Sequence, residues 1–164
     1  MADARVLAVS ADDLLELKDE IVAIAGRDTP ARLRAARPGF RACTARGTDG
    51  RLAGFAYGWE GGPADWWWDI VAGAVSADVR RRWFDDCFEL VGLAVLAADR
   101  RRGIGGALHD TVLGLTERPH AVLSTRSDAT DALAFYAAKG WRTVHAALTF
   151  PGNDAPFAVL VRDR

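Results

Sequence analysis

The order of apolar and polar positions predicts a mixed α/β chain. Arg5 to Val9 reads as a short first strand. Ser10 follows in an N-cap position, with Asp13 three residues on to complete a capping box. Leu14, Leu17, Ile21 and Ile24 then recur at helical spacing until Gly26. Asp28-Thr29-Pro30 opens a second short helix through Ala36, stopped by Pro38-Gly39. Phe40–Arg46 and Leu52–Trp59 read as strands joined by the turn residues Gly47 to Gly50. From Gly61 to Asp86 neither periodicity fits the tryptophan-rich part, while Ala77–Phe84 reads as helical. Phe88–Leu96 is the strongest strand. After a glycine-punctuated loop, Ile104, Ala107, Leu108, Thr111, Val112 and Leu115 share a helix face that ends before Pro119. Ala121–Thr125 is a further strand, and Thr130 or Asp131 caps a helix running to Lys139, with Gly140 closing it. Trp141–Phe150 and Phe157–Val161 form a closing strand pair. This order predicts one domain over residues 1–164, built on a mixed sheet of six to seven strands flanked by about four helices.

Composition narrows the picture. The 164 residues carry 21 basic and 22 acidic side chains, a net charge of -1, which argues against bulk binding of nucleic acid or an anionic membrane. No apolar run is long enough to span a bilayer and no leader is visible, so a cytoplasmic protein is expected. Cys43 and Cys87 are two isolated cysteines, read as reduced core thiols. His109, His120 and His145 show neither metal-ligand nor triad spacing, and no metal is expected. Lys18 and Lys139 are the only lysines, so nearly all positive charge is arginine.

The most informative stretch is Val95-Leu96-Ala97-Ala98-Asp99-Arg100-Arg101-Arg102-Gly103-Ile104-Gly105-Gly106, which joins the strongest strand to a helix. Glycines at a helix start let backbone N–H groups converge on an anion, and the dipole and arginines favour negative charge there. The spacing is neither a Walker A loop nor the dinucleotide Gly-x-Gly-x-x-Gly after a first strand. A pyrophosphate fits this chemistry.

Arg100-x-x-Gly103-x-Gly105 resembles the Arg/Gln-x-x-Gly-x-Gly/Ala signature of the GCN5-related N-acetyltransferase (GNAT) superfamily. Downstream, Ala132 to Trp141 is similar to that family's Ala-x-x-x-Tyr-x-x-x-Gly-Phe box, with Tyr136, Gly140 and Trp141 at its marked positions. Four positions depart from the pattern: Ala97 for Pro, Arg101 for Gly, Ala129 for Asn and Trp141 for Phe. The resemblance implies a GNAT-like fold and an N-acetyltransferase that moves acetyl from acetyl-CoA to a primary amine by direct attack. It implies cofactor binding by Leu93, Ala94 and Val95 on the strand and by Arg100, Arg101, Arg102, Gly103, Ile104, Gly105 and Gly106 in the loop. Tyr136 matches the residue that protonates the leaving thiolate, with aromatic packing as its alternative role. Glu89 is the lone charge in an apolar strand, where burial favours the neutral form. It resembles the general base of the histone-acetylating branch; a salt bridge to one of Arg80–Arg82 is its alternative.

Asp65-Trp66-Trp67-Trp68-Asp69 has the composition of a site for a cationic or aromatic amine, with Glu60, Asp85 and Asp86 as an acidic rim. Core packing and a homodimer contact are the other readings of the tryptophans. The resemblance implies a small-molecule or peptide amine as the acceptor. A non-catalytic acyl-CoA-binding or regulatory module on the same fold is the alternative function.

Overall fold

The structure is a computed structural model, which describes residues 4–35 and 37–164. Strand β1 (Arg5–Val9) leads into helices α1 (Ala11–Glu16), α2 (Lys18–Ala25) and α3 (Thr29–Arg34). Strands β2 (Arg41–Arg46) and β3 (Leu52–Gly61) follow, then α4 (Trp66–Ala74) and α5 (Ala77–Trp83). Strand β4 (Cys87–Val95) runs through a 3₁₀ turn at Ala97–Asp99 into α6 (Ile104–Gly114). Strand β5 (His120–Arg126), α7 (Thr130–Ala138), β6 (Arg142–Thr149) and β7 (Pro156–Asp163) complete the chain. The seven-stranded sheet has the order β1-β2-β3-β4-β5-β7-β6. It is mixed: β4 and β5 are parallel, and the other pairs described, β1–β2, β2–β3, β5–β7 and β6–β7, are antiparallel.

The expected fold class stands, and seven α-helices rather than four flank the sheet among the described residues. The apolar pattern itself marks five helical stretches, Ala77–Phe84 among them, and two causes raise them to seven. The apolar spacing over Leu14–Ile24 is interrupted at Leu17, whose N–H reaches back only three residues to Leu14 at 3.0 Å, so one predicted helix is two. The capping box itself is present: Asp13 N–H donates to Ser10 Oγ at 3.1 Å and Ser10 N–H to the Asp13 carboxylate at 2.8 Å. The second cause is α4, which lies in the segment without periodicity. Helix α3 ends at Arg34, and Ala36 lies outside the described residues. Helix α7 begins one step earlier than its predicted cap: Ala129 is the N-cap and makes no side-chain cap, and Thr130 is already helical.

Cα packing divides the chain into two compact units, Met1–Trp59 with Leu90–Glu117, and Glu60–Glu89 with Arg118–Arg164. In the first, Leu14, Ile21, Leu33, Ala42, Leu52, Phe55, Tyr57 and Trp59 form the core, with α1–α3 contributing the aliphatic part. Tyr57 sits in an aromatic row, its ring centroid 6.2 Å from both Phe40 and Phe55 and 6.0 Å from Trp59. That ring lies against Gly92 of β4, where an added Cβ would come within 2.4 Å of Tyr57 Cε1. The glycine is there because the row leaves no room for a methyl group. Gly92→Ala is therefore expected to destabilise the protein by roughly 2–3 kcal/mol, read as a lowered urea midpoint, since a ring packed on both sides cannot yield. A Gly92→Ala variant with the wild-type midpoint would show that the row is loosely packed.

In the second unit, Trp68, Val71 and Ala72 of α4, with Trp83 of α5 and Phe84 beyond it, pack with Cys87, Val122, Phe150, Val159 and Val161. Tertiary packing here builds on inward-facing side chains of β5 and β7.

Candidate active site

The glycine-rich loop has the form the sequence predicts. Strand β4 is fully buried from Cys87 to Leu90 and half-buried from Val91 to Val95, so Leu93, Ala94 and Val95 lie on its partly accessible stretch. Leu96 N–H donates to Ala53 O at 2.8 Å, which fixes the strand end against β3. The 3₁₀ turn follows at Ala97–Asp99 and buries Asp99. Gly103 is the N-cap of α6 at φ +80°, ψ −3°, the left-handed region that favours glycine. No side chain caps this helix, and its first turn contains no acidic residue. The N–H groups that open any α-helix lack intrahelical acceptors, and here glycines at 105 and 106 leave the approach to them open. Ile104 is buried and anchors the turn, while Arg100, Arg101 and Arg102 are exposed. Arg100 Nε donates to Val95 O at 3.1 Å, so this arginine braces the loop against the strand. Arg101, which replaces the glycine common at its position, sits at φ +61°.

Glu89 and Tyr136 both belong to the second unit. Glu89 is 6% exposed, on the buried stretch of β4. Of the three arginines weighed as its partners, Arg81 pairs with Asp78 and Arg82 with Asp163 at 3.0 Å. Among the described residues, β4 pairs with β5 over Cys87–Glu89 against His120–Val122, while β4 continues to Val95 and β5 to Arg126. Tyr136 is 9% exposed, between the rings of Phe135 at 5.2 Å and Trp141 at 5.6 Å. Burial pushes its phenol up to about 12, so it is a protonated donor at any working pH. The end of α7 explains the motif around it. Gly140 takes φ +83°, and the N–H of Trp141 closes on Tyr136 O at 3.0 Å.

The tryptophan run resolves into three roles. Asp65 is the α4 N-cap, accepting from Trp67 N–H at 2.8 Å and Trp68 N–H at 3.3 Å. Trp68 is core and donates its indole N–H to Phe84 O at 3.0 Å; Trp67 donates to Ser124 Oγ at 2.8 Å. Trp66 is 59% exposed, its ring 5.7 Å from that of Phe150. The expected acidic rim is also altered, because Arg118 binds Glu60 at 2.7 Å and Asp86 at 2.9 Å and so offsets both charges.

The histidines have local duties. His109 is fully buried with Nδ1 2.8 Å from the Asp110 carboxylate, so it does not face solvent. His120 lies between Arg82 and Asp163, and His145 Nδ1 accepts from Ala147 N–H at 3.3 Å. Burial pushes the Cys87 thiol up to about 12, which leaves it inert as a nucleophile. Among the described residues no cluster of His, Cys, Asp or Glu could hold a metal ion, and no helix is long and apolar enough to cross a membrane.

A strand–turn–helix with an uncapped glycine start, on a mixed sheet, agrees with the GNAT-like fold that the sequence resemblance implies. The acetyltransferase (GNAT) family model matches residues 12–141, and the chain belongs to that family. It is 29% identical over 119 residues to a GCN5-like protein acetyltransferase of Mycobacterium tuberculosis, covering 68% of this chain and 58% of the relative. The chain thus spans less than two thirds of that relative's length. Its fold is shared with the ribosomal-protein-S18-alanine N-acetyltransferase of Escherichia coli, at TM-score 0.66 and 14% identity over 98% of this chain and 93% of that one. Arabidopsis thaliana NAA60, solved in complex with a bisubstrate analogue, aligns at TM-score 0.63 and 16% identity over 97% and 98% of the two chains.

Proposed function

We propose that this chain is one N-acetyltransferase domain that transfers the acetyl group of acetyl-CoA to a primary amine in a ternary complex. The observation that carries the reading is the start of α6: a left-handed Gly103, no side-chain cap, no acidic residue in the first turn, and three arginines immediately before it. The residues suit the cofactor's pyrophosphate, with the backbone N–H groups of Gly103 to Gly106 receiving it and Arg100, Arg101 and Arg102 offsetting its charge. Leu93, Ala94 and Val95 would offer strand N–H groups to the pantetheine arm and to the oxyanion that develops on the thioester carbonyl.

The thioester supplies an activated acyl carbon, to which the neutral amine adds. Glu89, through a water, would take the proton that an ammonium acceptor must lose to become that neutral amine, and solvent would take the proton the nitrogen sheds as the amide forms. The Tyr136 hydroxyl would hand its proton to the leaving sulfur as the C–S bond breaks, which gives the amide and free CoA thiol. A neutral, buried phenol suits that donor role better than an ionised one. For the acceptor, exposed Trp66 keeps the character of a face for a cationic or aromatic amine, whereas Trp67 and Trp68 are committed to packing.

The test combines two readouts. Saturating CoA should raise the thermal midpoint, because a ligand at about 100 times its Kd adds about 2.7 kcal/mol to native-state stability. An amine library with acetyl-CoA should release thiol with at least one acceptor class. Stabilisation by CoA without thiol release from any amine would favour the acyl-CoA-binding module instead; absence of both would overturn the reading.

A further inference from the structure

Asp99 is a buried carboxylate that the reaction does not use. It lies in the 3₁₀ turn between β4 and α6, and its side chain is 11% exposed. Two guanidinium groups from different parts of the first unit converge on it. Arg51, at the end of the β2–β3 turn, places Nη2 3.0 Å from Oδ2. Arg102, the residue before the Gly103 N-cap, places Nη1 3.5 Å from Oδ1. The turn that carries Arg51 is itself tightly built: Gly47 N–H donates to Arg51 O at 3.0 Å, and Arg51 N–H to Asp49 Oδ1 at 3.0 Å. Asp49 Oδ2 is a more distant partner of Arg51 Nε, at 3.5 Å.

A surface arginine ordinarily samples many rotamers, and fixing it costs entropy. Here a buried anion meets that cost in advance for two arginines at once. Each guanidinium has five N–H donors, and the pairings on Asp99 and Asp49 occupy a minority of them. About half of the Arg51 side chain remains exposed. A pre-ordered, partly exposed arginine pair next to the anion-accepting helix start is suited to a second anionic group. On the reading proposed above, the backbone cradle receives the pyrophosphate. Arg51 comes from a separate hairpin, and its guanidinium, paired with Asp49 and Asp99, keeps N–H donors for a further anion beside that loop.

We propose that Arg51 and Arg102, held in place by Asp99, form a second anion subsite that recognises the 3′-phosphate of CoA and so selects CoA over its 3′-dephosphorylated form. The proposal rests on the acetyl-CoA reading above. Arg51 is the specificity-determining residue and Asp99 the positioning residue. A phosphate monoester carries about −1.5 to −2 charge at neutral pH, enough to engage both guanidinium groups.

The experiment measures calorimetric Kd values of CoA and 3′-dephospho-CoA for the wild type, Arg51→Gln and Arg51→Lys at one fixed salt concentration. The wild type should bind CoA about tenfold more tightly than 3′-dephospho-CoA, the size of one partly exposed charge-assisted contact. Arg51→Gln should bring the two within about twofold of each other, chiefly by weakening CoA. Arg51→Lys keeps the charge and should retain part of the preference. Asp99→Asn should reduce the preference too, because both arginines lose their anchor. Equal binding of the two ligands by the wild type would overturn the proposal. So would an equal loss for both ligands in a folded Arg51→Gln protein, which would assign Arg51 to the pyrophosphate. If the wild type binds neither ligand, the acetyl-CoA reading itself falls, and this outcome is distinct from the other two.

Discussion

Tyr136→Phe is expected to lower kcat by about 100-fold while the Kd for CoA changes less than twofold. The phenol is almost fully buried between Phe135 and Trp141, so phenylalanine fills the same space and removes one oxygen. Because burial holds the hydroxyl protonated up to about pH 12, the wild-type rate should show no basic limb from this group near neutrality. Its sign for stability follows. The folded pKa is raised above the unfolded value, so the protonated state contributes fully below about pH 10, and that contribution is lost as pH rises toward 12. Tyr136→Phe should therefore abolish part of the alkaline destabilisation as well as the turnover. Unchanged kcat in the variant would leave Tyr136 with a packing role only.

The second large effect concerns Glu89. Glu89→Gln should reduce kcat/KM by about 100-fold at pH 7, with the deficit shrinking as the pH approaches the pKa of the free amine, near 10.4 for a lysine-type acceptor. The reason is proton balance. At pH 7 an alkyl ammonium must lose a proton before it can attack, and a base assists that loss; at high pH the amine is already neutral. A pH profile distinguishes this from simple damage to β4, which would lower the rate equally at all pH values. A flat deficit would assign Glu89 to structure.

Much of the candidate site was legible in the chain because its requirements are local. A helix start that receives an anion needs left-handed backbone and absent Cβ atoms, and Gly103, Gly105 and Gly106 declare both. The Ser10–Asp13 capping box and the Gly140 closure of α7 are equally short-range, and each forms. Local reasoning failed at Trp66–Ala74. That helix turns Trp67, Trp68, Ile70, Val71 and Ala72 toward the core, so most of its circumference is apolar and no polar stripe marks its period. The local clue is Asp65, an N-cap residue just after Gly-Gly-Pro.

Charge was misread for a related reason. Glu60 and Asp86 are 26 residues apart, and only the folded chain brings both to Arg118. The same holds for Arg51 and Asp99, 48 residues apart yet in contact at 3.0 Å. Ion pairs of this kind leave no spacing to recognise.

The motifs around Arg100 and Tyr136 carry the family resemblance, and by itself the sequence determined the strand–loop–helix around Gly103, the tyrosine-bearing helix and the mixed sheet. Each of these depends on which backbone conformations a residue allows and on the periodicity of burial, properties that act over a few residues. The tertiary structure decided which tryptophan is exposed, which carboxylates are offset and which arginines stand ready at the loop. Those outcomes depend on residues far apart in the chain meeting at one place, where packing and Coulomb attraction act through space.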